Sequence, residues 1–302
     1  MNIPIIFVHK GDNTYLDFSL NQAHYTNPEN KIYLIANTIS NKYDFVNYIN
    51  LCDYHTQADE FAKVYQHMSS NSHAIELLCF QRWFIINEFC QKNNVNSFLY
   101  LDSDVLIYCN VNSKFANYTK YSFTISKEHG PQCCYFSDTK NLTVFCNYIM
   151  KLYIEPNLKE RLDKKYKYHI DNNLTGGVCD MTAFSEYQKD NRNCAKDIAT
   201  IENDEVFDDN FNVSDGFEMN ALMKTKKIEI RDDIPYGFLN ESKKPIKFNI
   251  LHFQGPAKKY VHRYYTGRGL TGIIAKLKID RFLMKFDFLT RAMRRLGYSF
   301  SK

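Results

Sequence analysis

The sequence predicts an α/β domain, a mostly parallel sheet flanked by helices, followed by a basic amphipathic tail. Short apolar, β-favouring runs alternate with stretches of helical spacing from the first residues onward. One of these runs, residues 97–101, ends directly on two carboxylates one residue apart, Asp102 and Asp104. From Arg268 to Lys302 nine Lys and Arg stand against two Asp, so this segment alone is +7 and the rest of the chain −3.

The elements follow in order. Residues 3–8 form a continuous apolar run that suits a strand buried on both faces. Residues 15–26 carry Leu16, Leu20 and Ala23 at helical spacing, and Asn27 with Pro28 ends that helix. Residues 31–36 read as a second strand, and strand, helix, strand in succession implies parallel pairing with crossover helices. Residues 73–92 give the clearest helix: Ile75, Leu78, Cys79, Trp83, Ile86, Phe89 and Cys90 recur at three and four, with Ser72 as N-cap. Strands are expected at 97–101, 121–126 and 248–253, helices at 151–167 and 218–223, and a turn at 175–177. No internal repeat or low-complexity linker interrupts the chain, so it divides into one domain, 1–265, and a tail, 266–302.

At 302 residues the chain can bury one large core. Its 15% aromatic content could serve sugar stacking, yet beside the abundant Asn, Lys and Ile it reads as compositional bias. The mildly acidic body argues against a nucleic-acid binder. Nine cysteines are scattered without C-x-x-C spacing, and the adjacent Cys133 and Cys134 suit neither zinc nor an easy disulfide. The N-terminal apolar run lacks a basic flank and stops at His9, unlike a signal peptide, and no run reaches membrane-span length. A reducing, cytoplasmic compartment is therefore expected, in which the Asn173, Leu174, Thr175 sequon carries no meaning.

The chemistry concentrates after residue 101. In open α/β sheets ligands collect at strand C-termini. Two carboxylates this close stay ionised cheaply only if a cation neutralises them, and hard oxygen ligands suit Mg²⁺ or Mn²⁺, which in turn bind a diphosphate. A solvated turn after a strand would also place Asp there. Far downstream, the run 248–253 again ends in polar chemistry: His252 could supply an imidazole to the same cation, Gly255 would let backbone approach a phosphate, and Lys258 offers a positive charge.

With these residues in view, the sequence resembles family 8 of the glycosyltransferases, the group of glycogenin and the bacterial lipooligosaccharide galactosyltransferases. The resemblance rests on FVHKGDNTYL at 7–16, the Asp102, Ser103, Asp104 triplet, Arg82 on the preceding helix, TGGV at 175–178, SDGFEMN at 214–220 and HFQGPAKKY at 252–260. It implies a GT-A fold and a metal-dependent transfer from a nucleotide sugar, a UDP-sugar with Mn²⁺ or Mg²⁺, to a glycan or lipid-linked acceptor with retention. By the same resemblance Val8, His9, Asp12 and Tyr15 cradle the uridine. Asp102, Asp104 and His252 hold the metal, with Ser103, Gly255 and Lys258 at the diphosphate. Arg82 reaches the sugar or diphosphate, Gly176 and Gly177 lie near the donor sugar, and an acid, Asp215 or Glu218, positions the hydroxyls. Thr175 stands where the family has Asn, and Lys259 with Tyr260 where it has Pro-Trp.

The tail repeats Leu270, Ile273, Ile274, Leu277, Phe282, Phe286, Leu289, Met293 and Leu296 at roughly helical spacing among basic residues. That pattern suits an anionic membrane surface, hence a peripheral position at the inner face of the membrane, or else a helix packed on the domain. Two other functions share the acidic strand end: a nucleotidyltransferase, for which His9, Lys10, Gly11 and Asp12 make a poor glycine-rich loop, and a scaffold that binds nucleotide or sugar without turnover.

Overall fold

The computed structural model describes residues 2–275 and 277, apart from 39, 40 and 128. The chain opens as expected, with β1 (Ile5–His9), α1 (Thr14–Thr26) and β2 (Ile32–Ala36). Then come β3 (Val46–Asn50), α2 (Thr56–Val64), α3 (His73–Lys92), β4 (Phe98–Leu101), β5 (Val105–Ile107) and α4 (Val111–Phe115). β6 (Phe123–Ile125), β7 (Cys133–Phe136), α5 (Thr139–Ile154), α6 (Pro156–Asp171), α7 (Asp180–Asp190) and β8 (Ala195–Asp197) complete the first half of the architecture. The remaining strands are β9 (Glu205–Phe207), β10 (Met219–Asn220), β11 (Thr225–Lys226), β12 (Ile228–Arg231), β13 (Ile234–Phe238) and β14 (Pro245–His252). A 3₁₀ segment, Gly255–Arg263, follows.

The main sheet runs β3-β2-β1-β4-β7-β6-β8. Its β1–β4 half and the β6–β8 pair are parallel, while β7 is antiparallel to both neighbours, so the sheet is mostly but not wholly parallel. Helices α2, α3, α5 and α7 cover one face and α1 and α4 the other. β4 shows why its sequence is uniformly apolar: Phe98 and Tyr100 enter the first core, Leu99 and Leu101 the second. A second sheet, β12-β13-β14-β5, carries β9 on the flank of β14. A third core, with Phe18 of α1 and Phe211, Phe248 and Phe253, binds this sheet to the domain.

The crossing between the sheets builds the site. β4 belongs to the main sheet and β5 to the second, so the three residues between them, Asp102, Ser103 and Asp104, form the corner where the chain changes sheet. β14 then pairs antiparallel with β5 in the register His252 opposite Val105. Register alone therefore sets the imidazole beside the acidic corner.

Three expectations are corrected. The helix expected at 151–167 is two helices: α5 stops at Ile154 and Pro156 opens α6, because proline lacks the N–H an interior position needs but fits a first turn. Residues 218–223 are not helical. Met219 and Asn220 pair with Lys226 and Thr225, and the Asn220 Oδ1 accepts from the Leu222 and Met223 amides to turn the chain. The strand expected at 121–126 is shorter, Phe123–Ile125. Ser72 does occupy the N-cap of α3, though its hydroxyl makes no capping bond.

All nine cysteines are free thiols. Among the described residues no helix is long and apolar enough to cross a membrane. The chain stays docked on α1 beyond residue 265: Gln22 Oε1 accepts from the Thr266 and Gly267 amides, and Leu270 is buried. Residues 271–275 are helical, and Ile273, Ile274 and Leu277 pack on the third core. The rest of the expected amphipathic tail, from Phe282 to Leu296, lies outside the described residues.

Candidate active site

Asp102, Asp104 and His252 each offer a ligand atom, and those atoms lie within 4.8 Å of one another. The backbone fixes all three. The Asp102 amide donates to the Gln132 carbonyl at 2.9 Å and the Phe253 amide to the Asp104 carbonyl at 3.0 Å. His252 Nδ1 lies 2.6 Å from the Asp209 carbonyl oxygen, which can only accept, so Nδ1 carries the hydrogen. Nε2, the other ring nitrogen, faces Asp104 Oδ1, 3.6 Å away. Two carboxylates and one imidazole, with the far ring nitrogen tied to a carbonyl, form a donor set that suits Mg²⁺ or Mn²⁺.

Lys258 Nζ lies 3.1 Å from Asp104 Oδ2 and 4.9 Å from the centre of the Tyr15 ring. Burial works against its charge, but Asp104 prevails and holds the ammonium above its ordinary pKa. Behind Asp102, Arg82 on α3 spans two acids. Its Nη1 donates to Asp102 Oδ1 at 2.7 Å, and Nε and Nη2 both reach Asp180 Oδ2, at 3.2 and 2.5 Å. The Trp83 indole donates to the same Asp180 oxygen, and the Tyr100 hydroxyl to Asp102. Burial alone would raise the Asp102 carboxyl, but Arg82, with His252 and Tyr100, holds it below its ordinary value.

A cleft of about 610 Å³ opens in front of these groups. Arg82, Asp102, Asp104 and His252 form one wall; Gly176, Gly177 and Asp180 form another. The glycine turn is docked on the segment before α3: the Val178 amide donates to the Met68 carbonyl at 2.8 Å and the Ser70 amide to the Gly176 carbonyl at 3.0 Å. Gly177, at φ 153°, lies so close that a β-carbon there would stand 2.3 Å from the Met68 oxygen.

The other expected residues divide into two groups. Val8 and His9 end β1, and His9 Nδ1 lies 3.0 Å from the Ser103 hydroxyl while Nε2 accepts from the Asn13 amide. Burial, seconded by Lys258, pushes the His9 pKa down, so the ring is neutral near pH 7. Tyr15 meets His9 edge-on, Asp12 is exposed, and Gly255 adopts φ 53° with open space around it. Asp215 and Glu218 do not line the cleft. Asp215 is held by Lys127 and Lys226, and Glu218 by Lys227 and Lys243. The carboxylate that does face the cleft from this side is Asp180, which sequence reasoning missed; its position two residues after the Gly-Gly-Val turn was the available signal. Lys165 of α6 also faces the cleft, its Nζ 2.7 Å from Thr182 Oγ1, and burial lowers its pKa.

No protein-family model matches the chain, and no curated protein does. Among solved structures it is similar to mouse xyloside xylosyltransferase 1 in its apo form, at TM-score 0.48 and 10% identity, covering 68% of this chain and 88% of that one. The galactosyltransferase LgtC in complex with donor and acceptor sugar analogs gives TM-score 0.44 and 13% identity, covering 91% and 95% of the two chains. The apo WbbM bifunctional glycosyltransferase gives 0.46 and 11%, covering 91% of this chain and 51% of that one.

Proposed function

We propose that this chain is a GT-A type glycosyltransferase that moves a sugar from a nucleotide sugar, a UDP-sugar, to a glycan or lipid-linked acceptor with the help of Mn²⁺ or Mg²⁺. The observation that carries the reading is the convergence of Asp102, Asp104 and His252 at the mouth of a cleft with Lys258 beside them. A divalent cation on those ligands supplies charge neutralisation for a diphosphate.

The chain's own residues supply the rest. Lys258 adds positive charge where a leaving diphosphate would develop negative charge. Arg82 cannot swing freely into the cleft, since both acids hold it; its role is to fix the Asp102 carboxylate. Asp180 Oδ2 accepts three donors and Oδ1 accepts the Met181 amide, and a carboxylate held by four hydrogen bonds makes a poor nucleophile. That supports transfer without a covalent enzyme intermediate. The anomeric carbon–phosphate oxygen bond breaks, the acceptor oxygen bonds to the same face of the sugar, and its proton passes to the departing phosphate oxygen. Val8, His9, Asp12 and Tyr15, at and after the end of β1, would cradle the uridine.

A panel of UDP-sugars assayed for UDP release with and without Mn²⁺ tests the reading, with Asp104→Asn as control. Metal-stimulated UDP release that falls about a thousand-fold in Asp104→Asn is expected. Pyrophosphate release from a nucleoside triphosphate would instead make the chain a nucleotidyltransferase, and tight UDP binding without turnover would make it a scaffold.

A further inference from the structure

We infer that Lys226, acting through Asp208, is a positioning residue that aims His252 at the cation. The inference rests on the metal-site reading above and deepens it. Lys226 ends β11 with its side chain 1% exposed, and its ammonium lies 2.8 Å from Asp208 Oδ1, a carboxylate fully withdrawn from solvent. A buried ion pair is a poor source of stability, because desolvating both charges offsets most of their attraction. What this pair holds is more specific.

Asp208 Oδ2 accepts the His252 backbone amide at 3.0 Å. Lys226 Nζ also donates to the Asn210 carbonyl at 2.7 Å. One ammonium thus clamps the residues on either side of Asp209, and the Asp209 carbonyl, 2.6 Å from His252 Nδ1, is the group that fixes the imidazole. Asp208 grips the histidine backbone while the clamped peptide grips its ring. The amide of Gln132, whose own carbonyl binds the Asp102 amide, reaches the Asp208 carbonyl at 3.3 Å and so ties the clamp to the acidic corner. Asp215, 3.0 Å from Lys226, belongs to this scaffold and not to the cleft. Lys226 touches neither the cleft nor a ligand atom; its effect is on the direction of Nε2.

Mn²⁺ titration of the full chain, without donor, tests this in four forms: parent, Lys226→Met, His252→Ala and the double variant. Lys226→Met is expected to weaken Mn²⁺ binding about 10–100-fold, the range for groups that orient a ligand histidine. In the His252→Ala background the same change should add less than two-fold, a non-additivity that general loosening would not give. Where Lys226→Met does not fold, Asp208→Asn, equal in size, carries the test with a loss in the same direction. Parent-like Mn²⁺ binding in a folded Lys226→Met or Asp208→Asn, with His252→Ala impaired, would overturn the positioning role alone. Parent-like binding in His252→Ala would remove the metal-site reading itself.

Discussion

Arg82 and Asp180 meet along one edge of the guanidinium, Nε and Nη2 converging on a single carboxylate oxygen, while the opposite Nη1 holds Asp102. The Arg82 side chain is 13% exposed and Asp180 4%, so neither partner can fall back on water. Removing the cation would leave two acids uncompensated. Arg82→Met is expected to lower unfolding free energy by about 3–5 kcal/mol, measured by urea denaturation. Arg82→Lys restores charge without the planar fork and should recover only part of that loss. A parent-like midpoint for Arg82→Met would show that the pair is dispensable.

The two glycines of the 175–178 turn should respond differently to the same substitution. Gly177→Ala forces a methyl into the Met68 backbone at an unfavourable φ and should cost about 3 kcal/mol. Gly176→Ala meets open space and bears only the φ penalty of about 1–2 kcal/mol. Thermal unfolding of both variants ranks them; equal costs would mean that the turn does not hold its place against Met68.

Acid should weaken the second sheet through Glu205. Burial alone would raise this carboxyl, but Lys114, with Asn249 and Lys247, lowers it to about 2 from an ordinary 4.5. Because the folded-state value is depressed, the unfolded chain takes up the proton first as pH falls. The stabilisation is therefore complete above about pH 4.5 and is lost progressively between there and pH 2. Urea titrations at pH 7 and pH 3 should show a decline that is about 1–2 kcal/mol smaller in Glu205→Gln, which is already less stable at pH 7. An unchanged pH slope in that variant would assign the acid sensitivity elsewhere.

Membrane contact is tested by truncation at residue 278, because the chain before it is part of the third core. The removed segment, 278–302, carries seven Lys and Arg against two Asp. Sedimentation with vesicles containing phosphatidylserine should be lost on deletion and weakened by salt in the full chain. Equal sedimentation of both forms would place any membrane affinity on the domain.

The fold was legible where local pattern and tertiary demand agree. The run 97–101 reads as a strand because alternate residues feed two different cores, which leaves no polar position to confuse the pattern. The acidic corner, His252 and Lys258 were readable as chemistry because they lie at or beyond the ends of such runs. Residues 218–223 misled because three apolar positions at helical spacing are a weaker constraint than one asparagine side chain capping a turn. Asp180 was missed for a different reason. Its partner Arg82 lies 98 residues away, and no local feature reports which of many acids a buried arginine will choose. Asp215 stands in a segment that resembles the family's acidic one, but Lys127, 88 residues away, and Lys226 hold its carboxylate outside the cleft.

The sheet-changing corner between β4 and β5 also has a temporal consequence. Its two carboxylates leave the ribosome long before the strand bearing His252 exists, and they acquire the imidazole only when β14 zips against β5. Until then the nascent chain offers a cation no more than a loose pair of acids, as many unfolded segments do. If the corner takes the proposed cation, tight capture would report that the two sheets have closed on each other, and mass action would favour the pairing of β14 with β5.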